Sequence, residues 1–248
     1  MWIIYERKIK MKVLSIGNSF SQDAQRYLHQ IASSDGFSLE AYNLYIGGCP
    51  LSRHYHNMIS NDDIYSLEIN GKSTGTFISV KDALLIKEWD VITLQQLSSE
   101  APRFETYEPY LTELADFVRK LAPKAKIAIH QTWAYEKDSR RLTEELSYKT
   151  PDDMLSDIKE AYEKAAKAIN ADFIIPSGEV FGRMIKNGIE KVHRDTFHAS
   201  FGLGRYAIGL TWYKALTGND VAKNTFSDFD EEVTGKEIEI AKQSVGEV

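Results

Sequence analysis

Residues 12–21 read KVLSIGNSFS, and this stretch decides the fold. Its apolar first half predicts a short buried strand, because aliphatic and β-branched residues cluster in such strands. A Gly-Asn pair ends the strand, and the apolar spacing that follows predicts a helix over residues 23–34 with Ser21 as its N-cap. Ser19 is therefore expected on the turn between the carboxyl end of a strand and the amino end of a helix.

The turn that carries Ser19 is a favourable place for chemistry. Ligands of open α/β sheets bind in the crevice at the carboxyl ends of the strands, and helix amino termini stabilise negative charge. A hydroxyl there is well placed to act as a nucleophile. Because serine is also an ordinary turn residue, a plain strand-to-helix turn remains the alternative unless the chain also supplies a base and an oxyanion site.

Composition and charge limit the classes of function. The 248 residues suffice for one large α/β domain, and a net charge of −6 argues against a nucleic-acid surface or an anionic membrane as the partner. Cys49 is the only cysteine of the sequence, so an internal disulfide and a cysteine-based metal site are both excluded. No apolar run approaches the length of a membrane span.

Residues 1–11 are interpreted as an N-terminal extension, and residues 12–248 as a single α/β domain. The apolar run at the start is too short for the hydrophobic region of a signal peptide, and the charges follow it rather than precede it. Met11 is an alternative start of the chain. A cytoplasmic location is the default expectation, with export left open.

Strand-like and helical segments alternate along the rest of the chain. We predict further strands at residues 38–46, 90–96, 126–131 and 172–175, and helices at residues 79–88, 104–121, 150–169, 177–187 and 203–217. This alternation predicts a flavodoxin-like three-layer α/β/α sandwich around a central parallel sheet of about five strands.

Three segments depart from that alternation. Asn70-Gly71 predicts a β-hairpin, because this pair favours the tight turn between two antiparallel strands. Residues 132–149 are polar and charged and are expected to form an exposed loop or lid. A peripheral helix over residues 234–246 is expected near the end of the chain, with Thr234 as its N-cap.

His54 and His56 are the one pair that suggests a metal. On a strand they would face the same side, but zinc requires three or four protein ligands and the neighbouring sequence offers no third. Surface or hydrogen-bonded histidines are the preferred interpretation. We predict neither a metal nor any other cofactor.

Two further strand ends carry groups that could donate hydrogen bonds to an oxyanion. Gly47 and Gly48 follow the second predicted strand, where a glycine backbone can approach a ligand and offer its N–H groups. Gln95 and Gln96 end the third, where a side-chain amide can serve as such a donor. The alternatives are a plain tight turn for the glycines and the pinning of a loop for the glutamines.

The segment His193-Arg-Asp-Thr-Phe-His198 offers a base. Asp195 and His198 are three residues apart, so in a turn-like loop the carboxylate can reach the imidazole Nδ1. That contact leaves Nε2 free to take a proton from a serine. The well-patterned helix at residues 203–217 is expected to anchor this loop against the sheet.

Together these pieces resemble the SGNH hydrolases, also called GDSL-like esterases. Gly17-Asn18-Ser19 matches the family's first block, Gly47-Gly48 its second, and Asp195-Thr-Phe-His198 its last. The blocks occur in the family's order and cover the chain from residue 12 to about residue 218. The motif wording resembles a bacterial SGNH-like subfamily, and the resemblance implies the SGNH hydrolase fold.

The third block departs from the family pattern. SGNH hydrolases carry Gly-x-Asn-Asp there, and its asparagine completes the oxyanion hole, whereas this chain has neither glycine nor asparagine at residues 95–99. The resemblance therefore implies Gln96 as a substitute donor, with Gln95 as the alternate.

The resemblance also implies roles for individual residues. Ser19 would be the nucleophile, His198 the base and Asp195 the group that orients it. The oxyanion hole would consist of the Ser19 and Gly48 N–H groups and the Gln96 amide. Four residues near the strand ends are candidates for lining a substrate pocket: Asn18, Gln95, His130 and Trp133. For Trp133, packing in the core is the preferred interpretation.

The resemblance implies a serine esterase that removes a small acyl group from a carbohydrate, with acetyl as the favoured group. A lipid, aryl-ester or thioester hydrolase using the same residues is one alternative, and a non-catalytic carbohydrate-binding α/β module is another. The expected partner is a small-molecule or carbohydrate ester, with no nucleic acid and no membrane, and the oligomeric state stays open. A nucleotide-binding flavodoxin-like protein is set aside, because neither a dinucleotide fingerprint nor a P-loop follows a strand.

Overall fold

The computed structural model describes residues 11–248. The predicted N-terminal extension lies outside the described residues except for Met11, which is the first residue of the first strand. In the described part of the chain, no helix combines the length and the apolar character needed to cross a bilayer.

The core of the molecule is a mixed sheet. Within residues 11–248 it has seven strands: β1 (Met11–Gly17), β2 (Leu39–Tyr45), β3 (Tyr65–Ile69), β4 (Lys72–Ile78), β5 (Val91–Leu94), β6 (Lys126–His130) and β7 (Phe173–Ile175). Their order across the sheet is β4-β3-β2-β1-β5-β6-β7. The strands β2, β1, β5, β6 and β7 run parallel, which confirms the predicted parallel sheet.

Two antiparallel strands extend the sheet beyond the five that we expected. The predicted hairpin is confirmed as β3–β4, and it joins the sheet through β3, which pairs with β2. Asn70 and Gly71 form its turn with φ angles of 52° and 75°, the left-handed conformations that such a turn requires. The prediction of about five strands counted the parallel strands correctly and left out this edge hairpin.

Helices cover the sheet. They are α1 (Ser19–Gln25), α2 (Leu28–Ser34), α3 (Leu51–Ser60), α4 (Val80–Leu85), α5 (Tyr110–Leu121), α6 (Pro151–Ala168), α7 (Ser177–Lys186), α8 (Leu203–Thr217) and α9 (Gly235–Gly246). Helices α1 and α2 pack with α8, whereas α3 and α4 pack with α5. The fold is the predicted flavodoxin-like three-layer sandwich.

Local sequence signals account for the clearest helix boundaries. Thr150 caps α6 and Thr234 caps α9, each in a reciprocal capping box with an acidic residue three positions later. Pro151 occupies the first position of α6, where its missing N–H costs nothing. The helix predicted for residues 234–246 is confirmed as α9.

The segment at residues 132–149 is not the exposed loop that we expected. Trp133, Tyr135 and Leu142 are buried, while charged neighbours such as Lys137 and Asp138 point to solvent. The abundance of charge in this segment concealed the apolar side chains, whose burial stabilises the fold. The segment therefore packs on the domain instead of standing away from it.

Gly71 gives a sharp test of how the edge hairpin packs. Its φ is +75°, and a Cβ there would lie 2.6 Å from the Arg26 carbonyl oxygen at the end of α1. We expect Gly71→Ala to lower the free energy of unfolding by about 2–4 kcal/mol, the sum of backbone strain and overpacking. Urea denaturation measures the loss.

Gly36 is the matched control for that substitution. Its φ is +72°, but nothing lies within 4 Å of the Cβ position. Gly36→Ala should therefore show the backbone cost alone, about 1–2 kcal/mol. Equal losses for the two variants would contradict the close packing of the hairpin turn against α1.

Candidate active site

Ser19 is the first residue of helix α1, directly after the end of β1. The preceding Asn18 is the N-cap, and its side-chain oxygen accepts a hydrogen bond from the Phe20 N–H at 3.1 Å. The single helix predicted for residues 23–34 is therefore two helices, α1 and α2, and the first begins four residues earlier than predicted. Ser21, our expected cap, is buried inside the first turn, and its hydroxyl lies within hydrogen-bond distance of two acceptors, the Asn18 carbonyl at 2.8 Å and Asn43 Oδ1 at 2.7 Å.

The structure brings Ser19, His198 and Asp195 together, although Ser19 and His198 are 179 residues apart in the chain. His198 Nε2 lies 2.8 Å from Ser19 Oγ, and His198 Nδ1 lies 2.8 Å from Asp195 Oδ2. Because a carboxylate only accepts hydrogen bonds, Nδ1 carries the proton and Nε2 is left as an acceptor facing the serine hydroxyl.

The Asp195 carboxylate is held by its own loop. Burial would raise its pKa, but the hydrogen bonds from the His198 imidazole and from the His198 N–H, the latter 2.9 Å long, outweigh it and leave the pKa below 3.8. Asp195 is therefore ionised at neutral pH. An anion beside Nδ1 stabilises the imidazolium, so this arrangement can take a proton from the Ser19 hydroxyl.

Aromatic side chains pack next to His198. Trp133 stacks on Phe20 with ring centroids 4.1 Å apart, and its Nε1–H donates to the Phe197 carbonyl at 2.7 Å. The Phe197 ring in turn lies 4.0 Å from the His198 ring. Trp133 is fully buried, so it does not line an open pocket. It occupies the core, which was the preferred interpretation of this residue.

A buried polar network runs under the Ser19 turn. Asn18 Oδ1 accepts from Gln95 Nε2 at 2.7 Å, Gln95 Oε1 contacts His130 Nδ1 at 2.9 Å, and His130 Nε2 contacts the Ser177 hydroxyl at 3.0 Å. Since Gln95 must present its oxygen to the imidazole, His130 carries its proton on Nδ1 and accepts from Ser177. Complete burial lowers the pKa of His130 to about 3, which keeps the ring neutral.

This network corrects the substrate pocket that we predicted. Asn18, Gln95 and His130 are each at most 2% exposed, and their polar atoms bind one another. Burial removes them from any surface that a substrate could touch. They instead fix the backbone turn that presents Ser19.

Gln96 does not fit the role of oxyanion donor. Its Nε2 donates to the carbonyl and hydroxyl oxygens of Thr106 at 3.0 and 3.1 Å, and its Oε1 accepts from the Leu51 and Leu97 N–H groups. These bonds use both amide hydrogens. Gln96 therefore pins the start of α3 to the segment before α5, which is the loop-pinning alternative raised by the sequence.

Gly48 lies on an exposed turn after β2 and has a φ of +60°, a conformation that favours glycine. The neighbouring Cys49 carbonyl accepts a hydrogen bond from Asn18 Nδ2 at 3.0 Å. This bond ties the Gly48 turn to the turn that carries Ser19. Two backbone turns thus meet at the carboxyl edge of the sheet.

The paired histidines do not form a metal site. His54 and His56 lie on helix α3 and not on a strand, so they point in different directions: His54 is buried against the Tyr65 hydroxyl and His56 is exposed. Among residues 11–248, no group of three or more His, Cys, Asp or Glu side chains could hold a metal ion.

One contact near the site was missed in the sequence. Arg194, which precedes Asp195, binds the carboxylate of Asp23, which follows Ser19 by one helical turn. The only available signal was an acid four residues after the serine and an arginine beside the aspartate. Such charges are common on surfaces, and their spacing does not indicate burial.

Buried histidines around the site should make the fold sensitive to acid. Burial lowers the pKa of His54 and His130 to about 3 and that of His193 to about 4. The unfolded chain binds these protons near pH 6.5, so stability is complete above that pH and falls as the pH drops toward the folded-state values. Each histidine should contribute a slope of about 1.4 kcal/mol per pH unit.

Urea denaturation at pH 7.5, 6 and 5 measures this slope. His54→Gln should reduce the slope of the unfolding free energy against pH by the contribution of one histidine. His56→Gln, on the exposed side of the same helix, should leave the slope as it is in the wild type. Identical slopes in the two variants would contradict a neutral buried His54.

Comparison with known proteins places the chain among related sequences and folds. The sequence model of the DUF4886 family, a domain of unknown function, matches residues 12–247. A crystal structure of a DUF4886 family protein from Bacteroides uniformis is 31% identical, with a TM-score of 0.89 over 96% of this chain and 93% of that one. Among curated proteins, none matches significantly.

More distant structures share the fold. A candidate SGNH hydrolase from Slackia heliotrinireducens is 21% identical, with a TM-score of 0.60 over 83% of this chain and 98% of that one. Axe2, an acetylxylan esterase from Geobacillus stearothermophilus, is 13% identical, with a TM-score of 0.54 over 84% and 92% of the respective chains. At these identities the likeness shows that the architecture is that of SGNH-fold hydrolases, and the closer matches show that the chain belongs to the DUF4886 family.

Proposed function

We propose that the chain is a serine esterase of the SGNH type that hydrolyses small acyl esters of carbohydrates, acetyl esters above all. The observation that carries the proposal is the continuous series of hydrogen bonds from the Ser19 hydroxyl through His198 to Asp195. Such a series supplies a nucleophile, a general base and a group that fixes the tautomer of the base.

The proposed reaction has two halves. Ser19 Oγ attacks the ester carbonyl carbon while His198 Nε2 accepts the hydroxyl proton. The tetrahedral intermediate then collapses, the acyl group stays on Ser19, and His198 returns the proton to the departing alcohol. In the second half, water gives a proton to the same imidazole and attacks the acyl-serine, which releases the acid and restores the hydroxyl.

The negative oxygen of the intermediate needs hydrogen-bond donors. The Ser19 and Gly48 N–H groups are the donors that we propose, because the turns that carry them are joined through Asn18 and Cys49. Each such donor contributes roughly 3 kcal/mol of transition-state stabilisation. An oxyanion hole made of these two backbone N–H groups requires no side chain at the position of the SGNH family's asparagine.

Acetylated carbohydrate is the substrate class that we favour. The fold-level likeness to an acetylxylan esterase supports it, and the Gly48 turn beside the site is exposed to solvent. A lipid or thioester hydrolase, or a non-catalytic carbohydrate-binding module, would predict other results in the experiment below.

Acyl preference and covalent labelling test this proposal together. The purified chain is assayed with p-nitrophenyl acetate, butyrate and octanoate and with acetylated xylo-oligosaccharides, and a fluorophosphonate adduct is mapped by peptide mass spectrometry. We expect the acetate to be the best aryl ester, acetate release from the sugar, and an adduct on Ser19. A preference for octanoate would favour a lipid substrate, and a folded protein that neither turns over nor labels would overturn the esterase proposal.

A further inference from the structure

A buried ion pair lies beside the proposed catalytic residues. Asp23 is fully buried on helix α1, and its carboxylate oxygens lie 3.0 and 2.9 Å from Nη1 of Arg194. Arg205 reaches the same carboxylate from helix α8, with its Nε 2.8 Å from Asp23 Oδ1. Two guanidinium groups therefore share one buried carboxylate, and they come from different parts of the fold.

The Arg194 contact differs from the Arg205 contact because it connects the helix of Ser19 with the loop of His198. Ser19 and Asp23 are four residues apart on α1, so they lie on the same face of that helix. Ser19 contacts His198, and Asp23 contacts Arg194, which is four residues before His198. One helix face therefore holds both ends of the loop that carries the base.

The loop itself behaves as a closed unit. His193 and Ala199 form an isolated β-bridge across its base, and the Arg194 N–H donates to the His198 carbonyl at 3.0 Å. The Arg194 guanidinium also donates to the Ala199 carbonyl. Because these bonds connect Arg194 to the carbonyl of His198 and to that of the next residue, Ala199, a shift of Arg194 displaces His198.

The loop also needs fastening, because its backbone is strained. Thr196 has a φ of +75°, which is unfavourable for a β-branched residue. The Glu136 N–H donates to the Thr196 carbonyl at 2.7 Å and Trp133 to the Phe197 carbonyl, so the outer side of the loop is held by the segment after β6. Asp23 is the group that ties the loop to the helix of Ser19.

We propose that Arg194 is a positioning residue that, through Asp23, sets the distance between His198 Nε2 and the Ser19 hydroxyl. The proposal rests on the esterase function above for its kinetic consequence, but the positioning itself is a property of the loop. A pair between a guanidinium and a buried carboxylate suits this task because its geometry is directional and solvent reaches only the Arg194 side of it. Arg205 balances the same carboxylate from outside the loop.

Matched substitutions separate positioning from simple stabilisation. Arg194→Gln and Arg205→Gln each remove one guanidinium from Asp23 and leave the other in place, so the carboxylate stays paired and both variants are expected to fold. Arg194→Gln should lower kcat for p-nitrophenyl acetate on the order of 10²-fold with KM unchanged, since a displacement of about 1 Å has this effect. Arg205→Gln should lose thermal stability but keep most of its kcat.

Two further variants complete the series. Arg194→Lys keeps the positive charge and part of the reach, so it should recover part of the lost kcat. Arg26→Gln breaks the neighbouring pair between Arg26 and Asp230, which does not involve the loop, and should leave kcat as in the wild type. Equal losses of kcat in Arg194→Gln and Arg205→Gln would mean that both arginines only stabilise the fold, which would overturn the proposal.

A spectroscopic readout keeps the positioning test independent of turnover. The His198 Nδ1 proton in its hydrogen bond with Asp195 is observed by proton NMR of the ¹⁵N-histidine-labelled protein. We expect this resonance to shift or broaden in Arg194→Gln and to persist in Arg205→Gln. A wild type without esterase activity would defeat the proposed function alone, whereas an unchanged resonance and unchanged kcat in Arg194→Gln would defeat the positioning role.

Discussion

Ser19→Ala is expected to lower kcat for p-nitrophenyl acetate on the order of 10⁵- to 10⁶-fold, the loss seen when a serine nucleophile that acts together with a histidine is removed. Within residues 11–248, the hydrogen bond of the His198 Nε2 is the one to the Ser19 hydroxyl. In the proposed mechanism, neither attack on the carbonyl nor formation of an acyl intermediate can occur without this hydroxyl. Steady-state assays and fluorophosphonate labelling of the folded variant measure the loss.

Ser21→Ala provides the matched control. Ser21 is on the same helix two residues later, but its hydroxyl is buried and bound to Asn18 and Asn43. The variant should still be labelled and should keep activity within the same order of magnitude, with a stability loss of about 1 kcal/mol for the missing hydrogen bonds. Labelling that survives in Ser19→Ala and disappears in Ser21→Ala would refute our assignment of the nucleophile.

Asp195→Asn should have the second largest effect, a loss of kcat on the order of 10⁴-fold at neutral pH. An asparagine amide that donates to Nδ1 would force the proton onto Nε2, and an imidazole with that tautomer cannot accept a proton from Ser19. The loss of the negative charge also removes the stabilisation of the imidazolium. The measurement is kcat/KM beside a thermal unfolding curve.

The fold should survive this substitution, because the Asp195 side chain is 46% exposed. The side-chain oxygen of an asparagine can still accept the hydrogen bond from the His198 N–H. Asp138→Asn, an exposed aspartate in the segment after β6, is the control and should keep full activity. If the two variants hydrolysed the ester at similar rates, Asp195 would have no part in orienting His198.

Those parts of the fold whose signals are local could be predicted from the sequence. The capping boxes at Thr150 and Thr234 involve residues three positions apart, so they are visible without any tertiary structure. The start of α1 could not be predicted in this way. Asn18 and Ser21 are both residue types that serve well as N-caps. The choice between them depends on Asn43 in the next strand, whose side-chain oxygen accepts a hydrogen bond from the Ser21 hydroxyl.

In the candidate site, too, the contacts between residues close in the chain could be predicted from their spacing, and the long-range contacts could not. The contact between Asp195 and His198 spans three residues and followed from their spacing. Gln96 was misjudged because its amide is bound by Thr106, ten residues away in a segment whose position depends on the packing of α5. Burial of His130 is likewise set by neighbouring elements, since one hydrogen-bond partner, Gln95, follows β5 and the other, Ser177, begins α7.

The 179-residue separation of Ser19 and His198 has a consequence for how the protein folds. Joining residues so distant in the chain requires a large loop closure, and long-range contacts of this kind form slowly. A refolding chain would therefore acquire its secondary structure before the hydroxyl and the imidazole meet. Fluorophosphonate reactivity during refolding would mark the arrival of the last native contacts, and a nascent chain would stay inert until residues beyond 198 had emerged.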